Sequence, residues 1–272
     1  MFSVEKPVHR GQIRRFLGKE YFCLKEKVKW HFSDLRFAAN RQNTQLEFEL
    51  ITHTSTLLRK LKDVDMQLQH NKITNLRLAA EKINGIIIQP GETFSFWKLV
   101  GRPTKSKGYL TGMTLQNGKI TQGTGGGMCQ MGNLIYWMAL HTPLTVTKRW
   151  RHSYDVFPDT NRTIPFGSGA TLAYNYIDLQ LKNETQNTFQ INVWLTEKNL
   201  CGSICSDKKP ENTYEVFEKS HRFELQWWGG YTRHNEIWRK IIPLNSPLQT
   251  EELITSNHAV MMYNPLIGSG SN

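Results

Sequence analysis

The chain has 272 residues, of which 39% are hydrophobic and 11% aromatic; this excludes a disordered protein and allows a large folded core. Its formal net charge of +11 favours anionic partners such as nucleic acid, acidic lipid headgroups or a carboxylate-bearing substrate, without choosing among them. The four cysteines are too few and too unevenly spaced for the disulfide framework of a small secreted domain.

Residues 1–70 are predicted to form an N-terminal helical segment with two or three amphipathic helices, because glycine and proline are rare and apolar residues recur at loose helical spacing. We interpret the segment as a packing unit with a solvated basic face. The alternative is a surface that docks on anionic lipid. No stretch has the length of a signal peptide or a membrane span, so we expect a cytoplasmic protein, with peripheral membrane contact as the alternative.

Residues 71–200 are predicted to form the core domain. A short helix, "TNLRLAAEKING", precedes "IIIQPGETFSFW", where Pro90 and Gly91 mark a turn between two β-prone runs. The segments "ATLAYNYIDLQLKN" and "TFQINVWL" alternate apolar with polar residues, and the "NETQN" between them predicts a hairpin. Residues 201–272 are predicted to form a C-terminal extension. The expected fold class is α+β, with N-terminal helices followed by a helix packed on a mainly antiparallel sheet.

The stretch "GTGGGMCQMGN", residues 123–133, is the most unusual part of the chain. It lacks the Gly-Lys-Ser/Thr ending of a Walker loop, and Met128 stands where a dinucleotide fingerprint needs glycine. The loop continues into a predicted helix that ends near His141. At about 100° per residue the helix has two opposite stripes. One contains Met131, Leu134, Ile135 and Met138, and the other Cys129, Asn133, Tyr136 and Leu140.

Cys129 is placed in the first turn of this helix. Free backbone N–H groups and the helix dipole stabilise negative charge there, which lowers the pKa of a thiol and provides donors for an oxyanion. Gly132 lies beside the cysteine and is expected to leave room for an approaching group. The alternative is a small buried hydrophobic residue behind a tight strand-to-helix connection.

A nucleophilic thiol requires an imidazole within hydrogen-bond reach. His141 is about 18 Å along the same helix and cannot serve. A strand that turns back at Pro143 would bring His152 to the level of the thiol, so His152 is the predicted base. Asp155, Asp178 and the amide of Gln130 are candidates for the group that orients it.

Other site classes have weaker support. Cys201 and Cys205 in "CGSIC" have a spacing seen in some zinc sites, but no further ligands follow at a recognisable spacing. We therefore interpret them as ordinary loop thiols and expect no metal and no cofactor. Nucleic-acid binding would rest on charge and scattered aromatic residues alone, without a recognised module, and is not expected.

Residues 70–200 resemble the VanW family, named from glycopeptide-resistance gene clusters of Gram-positive bacteria. The resemblance rests on "INGIIIQPGETFSFWKLVG", "KGYLTGMTLQNGKITQGTGGGMCQMGNLIYWMALHTPL", "RHSYDVFP" and "YIDLQLKNET", with Gly-Gly-Gly-x-Cys-Gln as its most specific element. Many members carry an Asp where this chain has Gly169.

The resemblance implies an L,D-transpeptidase-like acyl transfer on a peptidoglycan peptide or precursor. Cys129 would be the nucleophile, Gln130 and neighbouring amides the oxyanion site, and His152 the base, with Asp178 as the predicted orienting group. Predicted substrate-binding residues are Gly125, Gly126, Gly127, Asn133 and Ser153. The alternative hypothesis is a non-catalytic accessory protein of the resistance or cell-envelope system, which binds through the same cleft or through the basic N-terminal helices.

Overall fold

The computed structural model describes residues 11–58, 65–116, 118–156, 158 and 164–265. Helices within these ranges are α1 (Gln12–Phe32), α2 (Met66–Ile83), α3 (Phe96–Val100) and α4 (Cys129–Leu140), with a 3₁₀ turn at Lys105–Lys107. Strands are β1 (Arg36–Phe37), β2 (Phe48–Thr56), β3 (Ile86–Ile88), β4 (Glu92–Ser95), β5 (Thr111–Gln116), β6 (Lys119–Thr124), β7 (Thr145–Lys148), β8 (Tyr154–Asp155), β9 (Gln180–Lys182), β10 (Phe189–Leu195), β11 (Asn199–Ser206), β12 (Asn212–Leu225), β13 (Tyr231–Pro243) and β14 (Thr250–Met261).

The described strands form three four-stranded sheets and one hairpin. The orders are β2-β11-β10-β3, β1-β4-β9-β7 and β12-β13-β14-β8, and β5 pairs with β6. Pairing is antiparallel except between β1 and β4 and between β14 and β8. The predicted α+β class with a mainly antiparallel sheet is therefore confirmed.

Helix α4 packs on the sheet that contains β2, β11, β10 and β3. Its predicted apolar stripe is confirmed, since Met131, Leu134, Ile135 and Met138 are all buried. Gly202 of β11 allows the helix to come close, because a Cβ there would lie 2.7 Å from Cε of Met138. The opposite stripe is also covered, so α4 lies inside the core and not at its surface.

The prediction of helices throughout residues 1–70 is wrong for residues 48–56, which form strand β2. "FELITHTST" is rich in β-branched residues and its burial follows the period of two of a strand. Strand β2 pairs along its length with β11, so this part of the predicted N-terminal segment belongs to the sheet on which α4 packs. We call the sheet of β2, β11, β10 and β3 the central sheet. Residues 1–10 and 59–64, which also fall in that prediction, lie outside the described residues.

The predicted hairpin across "NETQN" is also wrong. Strand β9 pairs with β4 and β7, whereas β10 pairs with β3 and β11, so the two strands lie in different sheets. Buried Asn183 fixes this crossing: its side chain donates to the carbonyls of Ile88 and Asn187 and accepts the N–H of Thr185. The buried amide directs the chain out of one sheet and into the next.

Helix α1 is attached to the rest of the chain through one side. The guanidinium of Arg102 donates to Glu20 at 2.9 Å, the thiol of Cys23 to the carbonyl of Tyr174 at 3.2 Å, and Lys148 to Glu26 at 2.9 Å. Over the described ranges, no helix combines the length and apolar character needed to cross a bilayer.

Residues 201–272, predicted as an extension, contribute the end of β11 and three long strands. Strands β12, β13 and β14 form an antiparallel meander, which short strand β8 joins at its edge. The guanidinium of Arg233 and the carboxylate of Asp155, both buried, pair at 3.3 Å where β13 approaches β8. Cys201 and Cys205 lie in β11, so their interpretation as loop thiols is wrong.

The glycines of residues 112 and 126 bring two backbone segments into direct contact. A Cβ on Gly126 would lie 2.3 Å from the carbonyl carbon of Gly112, and a Cβ on Gly112 would lie 2.6 Å from the carbonyl oxygen of Gly126. Only glycine permits this approach, because real Cβ atoms do not come so near to backbone.

We expect Gly126→Ala to lower the free energy of unfolding by about 3 kcal/mol or more, since the clash is with backbone that has no free rotation. Gly123→Ala in the same hairpin is the matched control, because its Cβ would meet only a methyl of Thr114 at 3.4 Å. Urea unfolding followed by circular dichroism measures both variants. Equal stabilities would contradict the proposed contact.

Candidate functional site

The Gly-rich loop leads directly into α4, which begins at Cys129 as the sequence predicts. Two backbone N–H groups of the first turn that could face an oxyanion already have acceptors. The N–H of Gln130 donates to the carbonyl of Gly127 at 3.1 Å, and that of Met131 to the carbonyl of Met128 at 3.0 Å. These two amides are therefore not free donors for an oxyanion in this conformation.

The sulfur of Cys129 lies against the backbone of Leu172. The N–H of Leu172 donates to Sγ at 3.4 Å, and Sγ lies 3.8 Å from the carbonyl oxygen of the same residue. Cys129 as a residue is half-buried, but its sulfur is desolvated. Burial raises the pKa of the thiol, and the hydrogen bond from Leu172 offsets this only in part. The expectation of a lowered pKa is wrong for this conformation.

Residues 169–172 are held across the start of α4 by specific hydrogen bonds. Oδ1 of Asn133 accepts the N–H of Ala170 at 2.8 Å, and Nε of Arg149 donates to the carbonyl of Gly169 at 2.8 Å. Asn133 therefore has a positioning role inside the protein. A Cβ on Gly132 would lie 2.8 Å from Cδ1 of Leu172, so the room that Gly132 was expected to leave is filled by the chain's own side chain.

The three loop glycines predicted to bind substrate also contact the chain itself. A Cβ added to Gly125 would lie 2.6 Å from the ring of Pro103, and a Cβ added to Gly127 would lie 2.2 Å from the side chain of Lys72. Both glycines have positive φ, of 75° and 96°. Their small size is thus required by packing and by backbone conformation.

His152 lies on the wall of a small cavity of about 180 Å³, together with Arg151, Ser153 and Tyr154. Burial lowers the pKa of its imidazole, which favours the neutral form. Cys129 does not line this cavity, and among the described residues no hydrogen bond joins the imidazole to the thiol. The structure brings Ser153 and His152 together but does not pair His152 with Cys129.

Gln130 and Asp178 have other partners than those predicted. Nε2 of Gln130 donates to Oγ of Ser55 at 3.0 Å and to the carbonyl of Thr56 at 2.8 Å, which fixes the side chain to β2. Gln130 is therefore directed at the central sheet and not at an oxyanion.

The carboxylate of Asp178 is fully buried and accepts hydrogen bonds from the chain on both oxygens. One oxygen accepts the N–H groups of Trp97 and Leu179, each at 3.0 Å. The other accepts Oγ of Ser95 at 2.6 Å and Nε2 of Gln180 at 3.0 Å. Desolvation raises its pKa despite these bonds. The predicted orienting role is thus replaced by a structural one, at the start of α3.

Arg149 is a residue that the sequence analysis missed. Its guanidinium bonds the carbonyls of Gly167 and Gly169 and lies 4.6 Å from the ring centre of Tyr136. Arg149 therefore links β7, α4 and residues 167–169. In "KRWRH", Arg149 and Arg151 are two residues apart and therefore lie on the same side of an extended chain. This spacing could have indicated that an arginine faces inward.

Residues 71–205 match the family model described as "VanW like protein". The chain is 41% identical over 190 residues to "Vancomycin B-type resistance protein VanW" of Enterococcus faecalis, covering 70% of this chain and 67% of the relative. The chain belongs to the VanW family.

A second relative is more distant. "Uncharacterized protein YoaR" of Bacillus subtilis is 28% identical over 141 residues, which span 52% of this chain and 45% of that protein. No solved structure gave a significant match. The matched family region contains the Gly-rich loop, α4, Arg149 and residues 169–172, whereas β2, β12, β13 and β14 lie outside it.

We expect the thiol of Cys129 to react with iodoacetamide at pH 7 at least tenfold more slowly than glutathione. The raised pKa leaves little thiolate near neutrality, so the rate increases only above the pH at which an ordinary thiol ionises. Peptide mapping by mass spectrometry after timed labelling measures the rate. Urea-unfolded protein is the control, and faster labelling of Cys129 than of glutathione below pH 7 would contradict the packing described.

We expect Asp178→Ala to lower the free energy of unfolding by about 3 kcal/mol, because two buried backbone N–H groups lose their acceptor. Asp178→Asn is the matched control: it keeps a carbonyl oxygen for those amides and should cost clearly less. Chemical unfolding of the two variants tests this. Equal losses would mean that accepting the N–H groups of Trp97 and Leu179 is not what makes Asp178 stabilising.

Proposed function

We propose that this VanW-family chain acts in glycopeptide resistance as a non-catalytic accessory protein of the cell envelope. In this proposal, α4 and the Gly-rich loop are a structural unit and not a reaction centre. The observation that supports it is the packed contact between Sγ of Cys129 and the backbone of Leu172. The link to resistance rests on the name of the Enterococcus faecalis relative.

Thiol catalysis has requirements that this conformation does not meet. A reactive cysteine needs a lowered pKa, yet burial raises that of Cys129. An oxyanion needs free donors, yet the amides of Gln130 and Met131 are already hydrogen-bonded. A base must contact the thiol, yet the imidazole of His152 faces a cavity that Cys129 does not line. Together these favour a structural thiol.

The proposed ligand is a peptidoglycan peptide or its precursor, bound at the cavity of His152. Such peptides end in a carboxylate, and the residues that line the cavity include Arg151, His152 and Ser153. The positive net charge of the chain also favours an anionic peptide. A precursor peptide is made at the cytoplasmic side of the membrane, which is where the proposal places the encounter.

A second candidate is acyl transfer through Cys129. It is favoured by the half-burial of Cys129 at the start of a helix, and by the hydrogen bond from Thr171 N–H to the carbonyl of Trp150 at 2.7 Å. This bond sets the segment between β7 and β8, which contains His152, beside residues 170–172. His152 would take the proton of the Cys129 thiol, and the thiolate would form a C–S bond to a peptide carbonyl while the amide C–N bond breaks. His152 would pass that proton to the leaving amine, and an acceptor amine would then form a new C–N bond as the C–S bond breaks and the sulfur recovers a proton.

Gene deletion with complementation tests the proposal. Deletion in the host that carries the gene should lower the minimal inhibitory concentration of vancomycin at least fourfold. Cys129→Ser should restore it as well as the unmodified chain does, because a hydroxyl can replace the thiol in the contact with Leu172. Cys201→Ser, at another buried thiol, is the matched control for packing. Arg151→Gln should fail to complement, since it removes the cation of the cavity.

Other outcomes decide against it. If Cys129→Ser fails while Cys201→Ser complements at equal protein level, the acyl-transfer candidate is favoured instead. An acyl adduct on Cys129 after incubation with N-acetylmuramyl pentapeptide, seen by intact-protein mass spectrometry, would favour it directly. Unchanged vancomycin susceptibility after deletion would contradict the link to resistance.

A further inference from the structure

Helix α1 has a row of large apolar side chains that point away from the body of the protein. The helix has 21 residues and is about 31 Å long. The row follows steps of three or four residues, and each side chain is between 48% and 79% exposed. Its members are Ile13, Leu17, Tyr21, Leu24, Val28 and Phe32. We call this row the outer stripe.

The outer stripe is not the side by which α1 is attached. Glu20, Cys23 and Glu26 contact the body, and Cys23 is only 3% exposed. At 100° per residue, the outer stripe is centred more than 120° around the helix from these contacts. The helix is therefore fixed to the protein by these contacts and by Trp30, which packs against the core, while its apolar row faces outward. The outer stripe is thus additional to the side by which the helix packs on its own core.

Basic residues border the outer stripe. Arg14, Lys25 and Lys29 lie along one edge and Lys27 along the other. The helix has six lysines and arginines against two glutamates. Glu20 pairs with Arg102, and Glu26 pairs with Lys148 and, at 3.6 Å, with Lys29. The outward part of α1 thus combines apolar side chains with a net positive charge.

We propose that α1 docks the protein on an anionic lipid surface, with the outer stripe inserted at the level of the acyl chains and the flanking cations on the headgroups. Charge decides between this occupant and a second copy of the chain. Two copies paired through the stripe would bring two sets of cations together within a chain of net charge +11. An anionic bilayer instead satisfies both the apolar row and its basic borders. The proposal is independent of the role of Cys129.

Vesicle co-sedimentation of the full chain tests the proposal. We expect binding to vesicles of phosphatidylcholine with 30% phosphatidylglycerol, at least tenfold weaker binding to pure phosphatidylcholine, and weakening as salt rises from 0.1 to 0.5 M. The double variant Leu17→Glu with Leu24→Glu should lose at least tenfold in affinity. The control variant, Leu248→Glu with Leu253→Glu, changes the charge by the same amount and removes a similar exposed apolar surface elsewhere on the protein. Its affinity for the vesicles should stay within twofold of that of the unmodified chain.

Two double variants that change only charge separate the electrostatic part of the binding from the apolar part. Lys25→Gln with Lys29→Gln should reduce binding and flatten its salt dependence, whereas Lys208→Gln with Lys209→Gln, both exposed in the turn after β11, should do neither. Far-ultraviolet circular dichroism shows that each variant is folded. Absence of binding to the anionic vesicles, or equal loss in both leucine pairs, would overturn the proposal. A dimer in solution that Leu17→Glu with Leu24→Glu dissociates would assign the stripe to a second copy.

Discussion

The contact between the start of α4 and residues 169–172 determines what the site of this protein can do. Gly132 has no side chain, so Leu172 fits against the helix, and Asn133 and Arg149 hold the backbone on either side of it. The same contact places a peptide N–H on the sulfur of Cys129 and removes the sulfur from water. The glycines that characterise the loop are thus explained by packing. Chemistry at the thiol would first require Leu172 to move.

Buried polar side chains connect neighbouring sheets and helices through hydrogen bonds. Asp178 accepts four hydrogen bonds where β9 meets α3, and Asn183 directs the chain from β9 to β10. Arg239 donates to the carbonyl of Thr142 just past the end of α4 and so attaches the C-terminal meander to that helix. Because such groups are costly to bury unpaired, each one specifies a single arrangement of neighbouring elements.

The sequence predicted elements whose signals are local. Helix α4 follows from the Gly loop, its apolar period and the stop at Pro143, and its bounds agree with the structure to within a residue. The predictions that are wrong concern elements whose stabilising contacts come from residues distant in the chain. Strand β2 was read as helix because its stabilising neighbour, β11, lies some 150 residues away in the chain. The "NETQN" turn resembles a hairpin, and only the buried contacts of Asn183 show that it connects two sheets.

For the candidate site, the sequence predicted the elements on which Cys129 and His152 lie but not the contacts around them. Cys129 is at the start of α4 and His152 follows β7, as predicted, yet thiol and imidazole do not meet among the described contacts. Spacing places residues along an element but does not say which side chain fills the gap between elements. Here Leu172 fills it, and nothing in "GATLAY" marks that leucine as different from an ordinary strand residue.

The pairing of β2 with β11 has a consequence for where the family region can be cut. The matched residues 71–205 include almost all of β11 but none of β2. A fragment with those limits would leave a long row of β11 backbone donors and acceptors, from Asn199 to Cys205, open at the sheet margin. Open margins of this kind invite intermolecular strand addition. The bounds of the family match therefore describe shared sequence, whereas a fragment that folds by itself has to begin before Phe48.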